Sequence, residues 1–338
     1  MNNKIIELRF IYDCISQKSN SRKYILNDGH LKKLLAIASK NRVIYAFCQS
    51  LVANDNIHIS PQAKTNVLTI IKTGHQWLSL LRNTLAFTRQ VLFDEKIPFL
   101  IVKMYEPNQY VTYDVDVVVH PESYSNAINI FKNKILIGEH PGKQKKTQTD
   151  FFSPKFLTID LHSGFSGQGQ VYFDKELIWK NVNFEEIQGI SCYVPSVEVK
   201  FLLAMAHLLF ERRYITLLDI LYINYLLNKK PDFKTINNQL NNYGWCHSAF
   251  SLLLDIKNIL EALRYESDLG ASCQILSLPF MLPLPRVLKI FTEKAGHINR
   301  IPKWDLSYYF FTTARYYLSL RNRLPYYLEW TPLGDIKW

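Results

Sequence analysis

The sequence predicts an α+β protein: a small mixed β-sheet flanked by helical N-terminal and C-terminal regions. Three observations carry that reading. Apolar residues recur at helical spacing before about residue 95 and again after about residue 193. The stretch between them holds short β-branched runs bounded by Pro, Gly and Asn. Within that stretch Asp114-Val115-Asp116 opens a two-residue alternation inside the apolar run 111–119. The expected division is 1–95, 96–192 and 193–338.

In the first region Leu31, Leu34, Leu35 and Ile37 recur at near-helical spacing. Trp77, Leu78, Leu80, Leu81, Leu85 and Phe87 extend a longer run. Asn54-Asp55-Asn56 marks a loop, and Ser60 before Pro61 marks a helix start. At Ile97-Pro98 the pattern changes. Residues 99–103 read as a strand closed by the turn Glu106-Pro107-Asn108. The aspartate strand spans 111–119, and His120-Pro121 opens a helix over 124–133. Runs at 135–138 and 150–153 read as strands around a basic turn holding Lys143, Lys145 and Lys146. A strand over 155–162 carries Asp160 and completes the sheet. Residues 163–191 read as a loop leading to short strands. Helices follow over 201–210 and 217–227, then near 234–242, 246–265 and 306–321, before an irregular aromatic tail.

The composition is that of an ordinary globular chain: 338 residues, 48% hydrophobic and 20% charged, enough for two or three compact units. No run approaches the roughly 18–20 apolar residues of a membrane span. Met1-Asn2-Asn3-Lys4 begins no signal-peptide core, so a cytoplasmic location is expected. The five cysteines show neither CxxC nor zinc-type spacing and read as reduced thiols, mostly in the core. The net charge of +11 lies in the first 50 and last 65 residues, while the centre is close to neutral. Those flanks are either the surface of a basic protein or arms that hold phosphates or RNA.

Asp114 and Asp116 share one face of their strand, and Val115, Val117 and Val119 take the other. Two carboxylates on one face of an apolar strand repel each other and lose hydration, which a cation compensates. Asp160 lies in a second strand-like run, so adjacency of the two strands brings three carboxylates together. Such a set suits magnesium or manganese, which take oxygen ligands. The alternative is an edge strand of solvated acids. Lys103, at a strand end, is either a phosphate contact or a solvated terminus. His162 shares the face of Asp160 and either tunes that carboxylate, touches substrate or has no role.

These residues, in this order, resemble the uncharacterised nucleotidyltransferase family of the polymerase-beta-like superfamily, over about residues 80–230. The matching positions are Lys103, Asp114, Asp116, Asp160, His162, Ser196, His207 and Asp219. The resemblance implies a nucleotidyltransferase core and assigns all three aspartates to the metal and to catalysis. Asp160 activates the attacking hydroxyl, and Lys103 and His162 contact the nucleotide. ATP or another nucleoside triphosphate is the implied co-substrate. The acceptor is a small molecule, or RNA or a protein given the basic flanks; the other reading is a nucleotide- or RNA-binding scaffold without catalysis. Two departures stand out. Met104 and Tyr105 follow Lys103 where the family carries glycine, and Tyr110-Val111-Thr112-Tyr113 offers no arginine before the aspartates.

Several other features have ordinary explanations beside functional ones. Gly164-Phe165-Ser166-Gly167 continues into no P-loop or dinucleotide fingerprint. Glu211-Arg212-Arg213 is either a phosphate contact or a solvated inter-helix turn. His207 and Asp219 either bond across two helices or sit separately in the core. Tyr308, Tyr309, Arg315, Tyr316 and Tyr317 either stack bases or pack internally.

Overall fold

Capping chemistry sets the helical frame. The computed structural model describes residues 3–16, 23–104, 110–135, 147–167, 170–211 and 215–264. Helices α1 (Asn3–Ile15), α2 (Asp28–Lys40) and α3 (Ile44–Ala53) come first, and the Asn27 side chain caps α2 by accepting from the His30 amide. Two three-residue strands, β1 (Tyr24–Leu26) before α2 and β2 (Ile57–Ile59) after α3, pair in parallel. Ser60 then accepts from the Ala63 amide, Pro61 takes the first turn, and α4 runs unbroken over Pro61–Asp94.

The central sheet has the order β3-β4-β6-β5, built from β3 (Phe99–Val102), β4 (Asp114–Val119), β5 (Gln148–Ser153) and β6 (Phe156–His162). β4 and β6 are parallel, and the two outer pairs are antiparallel, so the sheet is mixed as the sequence predicts. α5 (Tyr124–Ile135) connects β4 toward β5. Alternation along the strands gives each face its own partner. Val115, Val117, Val119, Ile101, Ile159 and Leu161 pack with α4 and α5. Leu100, Val102 and Val118, on the opposite face, join a core built largely from the other helices. Thr84 ties α4 to the sheet from within: its Oγ1 donates to the Leu80 carbonyl and accepts from the Leu157 amide.

Beyond the sheet come the short hairpin β7 (Ser166–Gly167) and β8 (Gln170–Val171), then the hairpin β9 (Asn183–Ile187) and β10 (Ile190–Val194). The chain continues as α6 (Val197–Ala206), α7 (Leu217–Asn228), α8 (Phe233–Asn242) and α9 (Cys246–Arg264). Among the described residues no helix is long and apolar enough to cross a membrane. Cys14, Cys48, Cys192 and Cys246 are all free thiols, while Cys273 lies outside the described residues.

Some boundaries differ from expectation for identifiable reasons. The aspartate strand begins at Asp114 rather than 111, and the Thr112 hydroxyl bonds Asp114 at its entry. Ile135 ends α5 instead of starting a strand. The helix read over 201–210 splits at His207, where a π-helical turn runs His207–Glu211. β1 and β2 are too short to carry a periodic signal in the sequence. The basic turn 143–146, the helix near 306–321 and the aromatic tail lie outside the described residues.

Candidate metal centre

Register, more than sequence proximity, assembles the site. In the parallel pairing of β4 and β6, Asp116 stands opposite Asp160 and Val118 opposite His162. In the antiparallel pairing of β6 and β5, Asp160 faces Asp150 and His162 faces Gln148. Residues opposite one another in a ladder share a face, so one row across three strands reads Asp116, Asp160, Asp150. Asp114 lies two residues before Asp116 on the same face, at the exposed start of β4. One ligand atom from each of Asp116, Asp160 and His162 lies within 4.8 Å of the others. Among the described residues it is the only such group.

Asp116 is buried, at 8% exposure, and its Oδ1 receives two donors. The Lys103 ammonium donates at 3.0 Å, and His162 Nε2 lies at 2.9 Å. Burial alone pushes this carboxyl up, but the Lys103 charge and the His162 hydrogen bond outweigh it and hold it well below the usual range. An ionised Asp116 only accepts, so His162 Nε2 carries the hydrogen. Asp160 has the opposite fate. Burial, then the charges of Asp116, Asp150 and Asp114, push its carboxyl up to about 8 against a weaker pull from Lys103. Negative charge on this face thus exceeds what one ammonium and one imidazole offset, and the donor set fits a divalent cation.

Lys103 reaches Asp116 because the chain leaves β3 in a left-handed turn, with Lys103 at φ +57°. That is the conformation glycine favours. Here a lysine adopts it. Its ammonium also lies 5.7 Å from the centroid of the buried Phe165 ring, which stands 5.2 Å from the His162 ring. Asp114 is held separately, by a 2.8 Å bond from the Thr112 hydroxyl to its Oδ1.

The sequence-predicted residues thus divide. Lys103, Asp116, Asp160 and His162 converge, and Asp114 flanks them on the same face. Ser196, His207 and Asp219 are not in the cluster. Ser196 sits at the N-cap of α6 without a side-chain capping bond. Asp219 forms a capping box with Thr216 at the start of α7; burial pushes its carboxyl up against the Thr216 hydrogen bonds and the Arg42 and His207 charges. Two residues of the polar row escaped sequence reasoning: Asp150 and Gln148. The alternation of Gln148 and Asp150 with the buried Thr149 and Phe151 carries the same two-residue signal that singled out Asp114 and Asp116.

No curated protein matches the chain. The model of an uncharacterised nucleotidyltransferase family does match it, over residues 112–261, a span that contains Asp114, Asp116, Asp160 and His162 and begins after Lys103.

Proposed function

We propose that this chain transfers a nucleoside monophosphate from a nucleoside triphosphate to a hydroxyl acceptor, with release of pyrophosphate and dependence on Mg2+ or Mn2+. The observation that carries the reading is the opposed pair Asp116–Asp160 on adjacent parallel strands, inside the segment that matches the nucleotidyltransferase family. Asp114, Asp116 and Asp160 are the proposed metal ligands, since a hard cation takes carboxylate oxygens. When bound, the ion supplies charge neutralisation at the triphosphate.

The protein's own side chains do the rest. Asp160 accepts the proton of the acceptor hydroxyl as its oxygen bonds to the α-phosphorus. The bond from that phosphorus to the bridging oxygen breaks, and its electrons leave with pyrophosphate. Lys103 keeps Asp116 ionised and presents a positive charge to phosphate. His162 orients Asp116 through the bond to Oδ1. The acceptor approaches beside Asp160, where β5 presents Asp150. A neighbouring carboxylate repels a polyanion, so a neutral or cationic hydroxyl compound fits this side better than RNA does.

The test is a transfer assay on the full chain with each labelled triphosphate, Mn2+ or Mg2+, and acceptors from the small-molecule, RNA and protein classes. Asp116→Asn and Asp160→Asn should each lower turnover by more than about 100-fold, exceeding the 10–100-fold typical of outer-shell partners. Circular dichroism checks that the fold is kept. Full activity in Asp116→Asn would sink the assignment, and triphosphate binding without turnover on any acceptor would make the chain a binding protein.

A further inference from the structure

We propose that Gln148 is a positioning residue for Asp160, an inference that rests on the transferase reading of this site. The β5–β6 register places Gln148 opposite His162 and Asp150 opposite Asp160. From there Gln148 Nε2 donates to Asp150 Oδ1 at 2.9 Å and to Asp160 Oδ2 at 3.4 Å. A primary amide nitrogen carries two hydrogens, so one side chain serves both carboxylates.

The bridge has two consequences. It places a donor between two carboxylates that face each other across a rung and repel. It also engages one oxygen of Asp160 from the β5 side, which fixes the plane of the carboxylate. The same carboxyl group offers a ligand atom to the cluster with Asp116 and His162. Asp150 acts through Gln148 by holding the same amide nitrogen that donates to Asp160.

The core role of β5 belongs to different residues. Thr149 and Phe151 are buried on the opposite face, where the Thr149 hydroxyl meets the Tyr124 hydroxyl at 3.0 Å. Gln148 and Asp150 are only half-buried. Removing the amide therefore changes the site while leaving the packing of the strand in place.

The experiment uses the full chain and two variants. Gln148→Met keeps the length of the side chain without its N–H groups, and Gln148→Glu replaces the donor with an acceptor. Gln148→Met should weaken Mn2+ binding, measured by calorimetry, by about tenfold, the loss typical of a group that orients a metal ligand. At saturating Mn2+ and triphosphate both variants should lower kcat by about tenfold, with KM for the triphosphate within about threefold. A merely structural residue would not produce that split. Wild-type kcat in Gln148→Glu, or wild-type Mn2+ affinity in Gln148→Met, overturns the positioning role alone. A wild-type chain that neither binds Mn2+ nor transfers any nucleotide overturns the reading of the whole site.

Discussion

Asp116 and Asp160 occupy the same rung of one ladder, yet their surroundings drive their protons apart. Lys103 and His162 converge on Asp116 and keep it ionised, while Asp160 meets three other carboxylates and rises to about 8. At neutral pH the chain without metal therefore holds a proton on Asp160, and a cation must displace it. Mn2+ affinity should then rise about tenfold per pH unit from 6 up to about 8 and level off above. Calorimetry at pH 7 in buffers of different ionisation enthalpy should show about one proton released per ion bound. Affinity that is flat between pH 6 and 8 would mean that Asp160 is already ionised. At this scale the sequence was readable where chemistry alternates along a strand: Asp114, Asp116, Asp160 and His162 were all visible. The partner of Lys103 was not, because it depends on a left-handed turn in a lysine, which no residue type announces.

Among the elements, α4 links the N-terminal helices to the sheet, and at Gly74 it packs tightly on α3. A Cβ there would lie 2.1 Å from Cδ2 of the buried Tyr45 ring on α3. That ring has little room to yield, since its hydroxyl meets His75 Nδ1 at 3.2 Å and accepts from Gln49 Nε2. In an unconstrained helix Gly→Ala stabilises by roughly 1 kcal/mol. Here overpacking should reverse the sign, so that Gly74→Ala destabilises by about 1–3 kcal/mol in urea unfolding. A stabilised variant would show that α3 and α4 separate easily. The start of α4 was legible because Ser60-Pro61 is a local capping signal. The pairing of β1 with β2 was not. Each is three residues long, with no period to detect, and each finds its partner more than thirty residues away.

At the scale of the whole molecule, the sheet separates two apolar cores, and the polar row lies on the face whose other residues join the larger, helical core. The broad α+β plan was readable because helical and strand periodicities occupy separate stretches. The meeting of β4 with β6 follows from long-range register, which composition does not encode. Charge gave a partial view as well. The basic ends raised RNA as an acceptor, whereas the folded site is acidic, and the last 65 residues lie outside the described chain. That acidity couples the site to global stability in an unusual direction. The folded value of Asp160, about 8, exceeds its ordinary 3.8, so between these limits the folded chain binds a proton that the unfolded chain releases. Its contribution is thus fully present below about pH 4 and is lost as pH rises toward 8. Asp116, lowered by Lys103 and His162, works in the opposite sense and loses its contribution only in acid. Melting temperatures of the wild type minus those of Asp160→Asn should therefore fall from pH 5.5 to 8 without metal. Saturating Mn2+ should raise the wild-type value more at pH 8 than at 5.5, because at pH 8 it need not displace the proton. Parallel pH profiles for the two proteins would show that Asp160 is ionised throughout and that the negative cluster is already balanced without a cation.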